Sequence, residues 1–232
     1  MAYTTIDDPQ ANFQVELYTG NGSADHAMTF DGGTDMQPDV VWFATRSNAA
    51  NHQLHATHTS ETYHYVRPNA TTAEITSNSD ALTSFNSDGF TIGSDGVINE
   101  NTYTYVAWCW KESATAGFDI VTYTGTGSAK TESHSLSAVP EFIAVKTRSE
   151  TGHWRVYHGS NTSAPETDAL ILNETDATYD WDTYWNDTAP TSSVFSVGTH
   201  DQTNKNTVTY FAYLWRSVQG FSKFGTYTGN GN

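Results

Sequence analysis

The chain has 232 residues, one cysteine, and a formal net charge of −16 from 26 acidic and 10 basic residues. A single cysteine excludes an internal disulfide and the zinc sites that need several thiolates. So acidic a surface repels phosphate backbones, and we therefore expect no nucleic-acid partner. No apolar run approaches the roughly 20 residues of a membrane span, and the first residues lack the basic and apolar parts of a signal peptide. We expect synthesis in a cytoplasm and no membrane partner.

A glycine-containing motif occurs three times along the chain. Tyr18-Thr-Gly-Asn-Gly22 returns as Tyr123-Thr-Gly-Thr-Gly127 and as Tyr227-Thr-Gly-Asn-Gly231, at offsets of 105 and 104 residues. Three further landmarks keep nearly the same offset, namely residues 38–47 with 140–149, residues 87–93 with 192–198, and residues 105–110 with 210–215. Several landmarks in one order at one spacing predict a tandem duplication.

The repeat divides the chain into four parts. We predict an N-terminal arm (1–14), a first β-sandwich repeat (15–116), a second β-sandwich repeat (117–220) and a C-terminal tail (221–232) that resembles the first strand of a third repeat. One strand and one turn cannot form a domain. Either the chain was cut, or the tail pairs with a sheet edge of a neighbouring unit.

Short strands separated by turns dominate the first repeat. Phe13, Val15 and Leu17 alternate with polar residues, and residues 40–43 follow Pro38 as a β-branched and aromatic run. Residues 71–82 contain Ala and Glu at helical frequency after a Thr cap, which indicates a short helix or turn. Residues 103–110 alternate over eight positions with apolar residues on both faces, as is typical of a central strand.

The second repeat follows the same order of strands and turns. Its six short apolar runs lie at residues 120–123, 142–145, 154–157, 169–172, 194–197 and 208–214. Six or more short strands per hundred residues, separated by Gly, Asn, Asp and Ser, predict an all-β fold of two tandem antiparallel β-sandwich repeats, jelly-roll-like, of about 100 residues each.

One segment combines aromatic and acidic residues without strand alternation. Residues 179–185 supply the candidate carbohydrate contacts, which are Tyr179, Trp181, Asp182, Tyr184 and Trp185. The C–H face of a pyranose packs on an indole ring while a carboxylate accepts from sugar hydroxyls. The alternative is that Trp181 and Trp185, four residues apart, cover the sandwich core.

Other candidate sites have simpler explanations. The acidic residues in turns are not shared between the repeats, so we interpret them as solvated carboxylates and not as an acid/base pair. Calcium binding near Asp31-Gly-Gly-Thr-Asp35 or Asn86-Ser-Asp-Gly89 stays open, although plain turn chemistry explains both. The four histidines between residues 52 and 64 are predicted to be polar surface or interface groups, and Cys109 to be buried and inert. We predict no catalytic residue, no metal and no cofactor.

Several motifs resemble a family of repeat-containing structural proteins of marine tailed bacteriophages. They are the Tyr-Thr-Gly-x-Gly turns, the Pro-Asp/Glu strands ending in Thr-Arg-Ser, the block at 82–93, the run 105–111 and the final residues 220–232. The resemblance covers nearly the whole chain from Phe13, and its motifs are structural.

This resemblance implies a non-enzymatic virion protein that assembles as an oligomer in a tail fibre or another particle-surface appendage. The alternatives are a capsid decoration protein, as head cement or head fibre, or a carbohydrate-binding host-attachment module. The implied partners are other copies of the chain, other virion proteins and host-surface glycans. Candidate oligomer or virion contacts are Phe13, Phe221, Phe224 and Tyr227.

Overall fold

The structure, a computed structural model, describes residues 4–231 and divides into two compact units. The first unit comprises Asp7–Ser113 together with Arg148–Gly152. The second comprises residues 4–6, Ala114–Thr147 and residues 153–231. The main bodies of these units lie close to the two predicted repeats. Two short segments are exceptions: residues 4–6 belong to the second unit, and Arg148–Gly152 belongs to the first.

The first unit contains eight strands and one short helix. They are β1 (Phe13–Thr19), β2 (His26–Met28), β3 (Val40–Thr45), β4 (Gln53–Ala56), β5 (Tyr65–Val66), β6 (Leu82–Asn86), β7 (Gly89–Ile92), α1 (Gly96–Asn99) and β8 (Thr104–Trp110). A sheet in the order β1-β8-β3-β4-β5 faces a sheet in the order β2-β7-β6, and all neighbours are antiparallel.

The core of the first unit lies between these two sheets. Tyr105, Ala107 and Cys109 point inward from β8, as their alternation predicts, and they join Phe90 and Ile92 of the smaller sheet. Burial raises the pKa of the Cys109 thiol well above its ordinary value, so the thiol stays protonated and unreactive. The prediction of a buried cysteine is confirmed.

The second unit contains eight further strands and one short helix. They are β9 (Phe118–Thr124), β10 (Lys130–Ser133), β11 (Phe142–Thr147), β12 (Arg155–His158), β13 (Asp168–Ile171), β14 (Tyr179–Asp180), β15 (Val194–Val197), α2 (Asp201–Asn204) and β16 (Thr209–Trp215). The order β14-β13-β12-β11-β16-β9 forms the larger sheet, and β10 pairs with β15. All these pairs are antiparallel, so the all-β sandwich class is confirmed.

The first two copies of the glycine motif begin in the last two residues of β1 and β9, and their Gly-x-Gly follows each strand directly. The Tyr18 ring stacks on Tyr105 at 5.1 Å, and its hydroxyl donates to the Ile98 carbonyl at 2.7 Å. In the second unit Tyr123 stacks on Tyr210 at 5.0 Å and donates to the Thr203 carbonyl at 2.6 Å. The motif tyrosine therefore ties the first strand of each unit to its short helix and to its central strand.

A buried asparagine at the end of each short helix holds the motif turn. The Asn99 amide donates to Gly93 O at 2.7 Å and to Ser23 O at 2.9 Å, while its Oδ1 accepts from Asn21 N at 2.9 Å. Asn204 makes the corresponding three bonds in the second unit, to Gly198, Ser128 and Thr126. In both units the asparagine therefore fixes the backbone that follows the first strand.

Of the two alternatives predicted for residues 71–82, a short helix or a turn, the structure shows a turn at residues 79–80. Residues 71–82 form no helix, because the backbone of Ile75 pairs with Tyr65 in an antiparallel bridge, and this non-local pairing outweighs the local helical preference. The tail after Phe224 forms no strand within the described residues: Tyr227 is 94% exposed, and a Cβ on Gly225 or Gly229 would meet nothing within 4 Å. The third copy of the motif thus lacks the turn contacts of the other two.

Candidate functional site

The predicted carbohydrate segment lies at one edge of the larger sheet in the second unit. Tyr179 belongs to the two-residue edge strand β14, and Trp181 and Asp182 are exposed in the turn that follows it. Tyr184 and Trp185 are buried, and the Trp185 indole N–H donates to the Asp168 carbonyl at 2.7 Å. Of the two tryptophans, Trp185 alone fills the core, while Trp181 remains accessible from solvent.

Trp181 is the most accessible ring of this cluster. It is 48% exposed and contacts Tyr184 and His200 edge-on, at centroid distances of 5.8 and 5.3 Å. Burial is the main cause that lowers the pKa of His200, so the imidazole is neutral at pH 7. These two rings support one side of the indole, and about half of the side chain stays accessible to a ligand.

Arg155 lies beneath these rings. Its guanidinium is 4.8 Å from the centroid of Tyr184 and 5.8 Å from that of Tyr179, and its Nε donates to Gln202 Oε1 at 2.5 Å. The residue is 6% exposed, and its Nη1 has no hydrogen-bond partner among the described residues. Burial lowers its pKa from the ordinary value. We interpret Arg155 as a positioning residue that holds the two tyrosines by cation–π contacts.

A second aromatic cluster lies on the outer face of the larger sheet in the first unit. Trp42, His52, Trp108 and Trp110, all partly buried, line a pocket of about 280 Å³, called here the indole pocket. Trp42 and Trp108 face each other across β3 and β8, with ring planes at 74° and centroids 5.9 Å apart. The Trp42 indole N–H donates to His52 Nδ1 at 3.1 Å.

The indole pocket was missed at the sequence level. Strand alternation places Trp108 and Trp110 on the face of β8 opposite Tyr105, but two apolar faces were interpreted only as the mark of a central strand. The informative signal was the aromatic content of that second face, since an outward strand face carrying large rings is a candidate binding surface.

The outer face of β1 continues this apolar surface to the sheet edge. Val15 is 43% exposed and Leu17 58% exposed, and they lie opposite Trp108 and Val106 in the register of β1 and β8. The Phe13 ring contacts Trp110 at 5.2 Å. We call Phe13, Val15 and Leu17 the edge strip.

The other predicted contact residues lie in the second unit. Phe221 packs against Ile6, Ala116 and Val218, and the Phe224 ring stacks on Phe142 at 5.7 Å. Both phenylalanines are therefore partly used within their own unit. Tyr227 is exposed and offers its whole ring to a partner.

The histidine prediction needs one correction. His55 is fully buried in β4, where Nδ1 lies 3.0 Å from the Thr62 carbonyl and Nε2 lies 3.0 Å from Gln53 Oε1. The strand period placed it on the inner face, which outweighed the polarity of its neighbours.

Within residues 4–231, no group of three or more His, Cys, Asp or Glu side chains is arranged to hold a metal ion. In the same part of the chain, no helix is both long and apolar enough to cross a membrane.

The fold and its aromatic clusters define an all-β antiparallel sandwich protein with apolar ring surfaces on two sheets. The chain belongs to a family described as a domain of unknown function, DUF7483, whose model matches residues 8–232. No curated protein and no solved structure matches the chain.

Proposed function

We propose that this chain is a non-enzymatic structural protein of a tailed-phage particle, assembling as an oligomer in a tail fibre or another surface appendage. The single observation that carries assembly is the edge strip. β1 is an edge strand, so its outer backbone groups are open to pairing with another chain. The exposed apolar side chains of the same strand add a face that favours contact with a partner. The phage assignment rests on the motifs that resemble virion repeat proteins.

The charge of the chain supports a solvent-facing position on a particle. A net charge of −16 keeps copies soluble and opposes non-specific association, so that association concentrates where apolar surface is available. The edge strip contains no charged side chain among its three members. Two copies, or a copy and another particle protein, therefore gain free energy by removing water from this surface.

Charge placed on the edge strip tests this proposal. Val15→Lys with Leu17→Lys should convert an oligomer into a species of lower mass, measured by light scattering after size-exclusion chromatography, since Lys on an edge strand opposes pairing. The matched control is Val139→Lys, which charges another exposed apolar position in the second unit. Antibody labelling of whole particles should place the protein on the tail or the head. The proposal would be overturned if the wild-type protein were a monomer and the antibody labelled no particle.

Carbohydrate attachment is a second candidate function, favoured by the exposed ring of Trp181. The indole is held edge-on by two rings and lies beside the exposed carboxylate of Asp182, which suits a pyranose that stacks and donates from its hydroxyls. Trp181→Ala should abolish binding on a glycan array, while Trp108→Ala in the other unit should not change it. Trp185→Ala is not a useful variant, because its buried ring supports the core.

A further inference from the structure

The indole pocket is a corner and not a flat platform. The ring planes of Trp42 and Trp108 meet at 74°, and those of Trp42 and His52 at 57°, with centroids 5.9 and 6.1 Å apart. Rings that meet at steep angles can contact a compact group on more than one side. A flat sugar ring instead needs one broad face on which to lie.

Few polar atoms line the pocket, and the Trp42 indole and the His52 ring already bind each other. The Trp42 N–H donates to His52 Nδ1, so it is not free for a ligand. His52 is held in turn by its backbone N–H, which donates to Asn69 Oδ1 at 3.0 Å. The lining contains no carboxylate and no hydroxyl. A sugar placed here would leave hydroxyls without partners, which costs free energy when they are removed from water.

The electrostatics of the pocket favour a cation. The pocket is lined by three indoles, of which Trp42 and Trp108 meet at 74°, and the face of an indole ring carries negative potential. Burial lowers the pKa of His52, so that its imidazole is neutral and does not repel positive charge. The excess of 26 acidic over 10 basic residues adds a negative field that attracts cations and repels anions. A group that is positively charged, apolar at its surface and without hydrogen-bonding needs matches all these properties.

We propose that the indole pocket binds the trimethylammonium group of a small organic cation. The methyl groups fill the corner between Trp42 and Trp108, and the charge lies over the indole faces. The volume of about 280 Å³ accommodates such a head group together with part of its chain. This inference does not depend on the proposed particle role, since it concerns a different surface and a different ligand.

Choline and its uncharged isostere 3,3-dimethylbutan-1-ol test the proposal by isothermal titration calorimetry on the full chain. The two have nearly the same shape, so their difference isolates the charge. We expect choline to bind at least about threefold and up to about thirtyfold more tightly, the range given by a cation over aromatic rings. Equal affinity, tighter binding of methyl glucoside, or no saturable binding of choline would each overturn the proposal.

Variants locate the site. Trp42→Ala and Trp108→Leu should each remove choline binding, whereas Trp181→Ala, an exposed indole of the second unit, should leave it unchanged. Circular dichroism of each variant separates lost binding from lost folding, and Trp108→Tyr, which keeps a ring, should restore part of the affinity. Choline binding that is lost in Trp181→Ala but kept in Trp42→Ala would refute the assignment.

Phosphatidylcholine vesicles serve as a second probe. They should bind more weakly than choline, because the acidic surface of the protein repels the lipid phosphate. Equal or tighter binding would overturn the assignment to a small soluble cation.

Discussion

The burial of His55 shows how strand alternation determines the environment of a side chain. His55 has the polar neighbours of a surface residue, yet the period of β4 puts it in the core against Phe43 and Tyr65, at ring centroid distances of 5.6 and 5.0 Å. Gln53 on the same face donates to Asp95 Oδ2 at 2.6 Å, which turns its carbonyl oxygen toward His55. The neutral ring has one N–H, which donates to one of the two oxygens that face it, Thr62 O or Gln53 Oε1.

His55 should make the first unit sensitive to acid. Burial lowers its pKa from 6.5 to about 3, which outweighs the Thr62 hydrogen bond that favours protonation. Between these values the unfolded chain binds a proton that the folded chain does not, so stability falls as the pH falls from 6.5 toward 3. The loss is about 1.4 kcal/mol per pH unit well below pH 6.5.

Urea unfolding of wild type and His55→Gln at several pH values measures this contribution. The variant keeps a donor for Thr62 and should show a shallower slope. If stability instead fell as the pH rose through 6.5, the ring would be charged in the folded state, held so by Gln53 and Thr62.

At the scale of elements, the three motif copies form an internal comparison. A Cβ on Gly20 would lie 2.2 Å from the Glu100 carbonyl oxygen, and one on Gly125 would lie 2.2 Å from that of Lys205. The corresponding Gly229 of the third copy has nothing within 4 Å. A side chain at this motif position would therefore clash with backbone in the first two copies and meet no neighbour in the third.

Alanine at these positions should give unequal losses. Gly20→Ala and Gly125→Ala should each lower the free energy of unfolding by about 3 kcal/mol, because a side chain would overlap backbone that cannot move aside. Gly229→Ala should change it by less than about 0.5 kcal/mol. Chemical denaturation followed by tryptophan fluorescence measures all three, and a large effect of Gly229→Ala would show that the third copy is also held in a turn.

The elements that sequence could predict are those with strong alternation. β1, β3 and β8 were predicted because large apolar residues occupy every second position or form a β-branched run. The four-residue helices α1 and α2 were not, since one turn carries no periodic signal and rests on caps at Asp95 and His200. The indole pocket was missed because it arises from residues on strands that are distant in sequence and become neighbours only in the sheet.

At the scale of the whole molecule, charge sets the solution behaviour. The isoelectric point is about 4.6, and the net charge of −16 at pH 7 disappears as the pH approaches that value. Self-repulsion then vanishes while the edge strip and the indole pocket stay exposed.

Solubility should therefore pass through a minimum near pH 4.6. Turbidity and light scattering across pH 4 to 8 would measure it, with aggregation expected to be weaker in the Val15→Lys, Leu17→Lys variant at its own isoelectric point. A variant that aggregates as strongly as the wild type there would show that another surface drives the association.

The division into units was only partly predictable. The predicted boundaries follow the repeat, but residues 4–6 belong by their contacts to the second unit, and Arg148–Gly152 belongs to the first. In the first unit Arg148 binds Glu74 through two hydrogen bonds of 3.1 Å. Such assignments depend on a few long-range contacts of short segments, which leave no periodic pattern in the sequence.

The small cluster of Ile6, Ala116, Val218 and Phe221 has a topological consequence. Its members come from the beginning, the middle and the far end of the described chain, so residue 6 and residue 221 lie within one apolar cluster. Joining them by a short linker and opening the exposed turn at Ser160 would preserve every strand pairing described above. A circularly permuted chain of this kind is therefore expected to fold with the same sheet pairing.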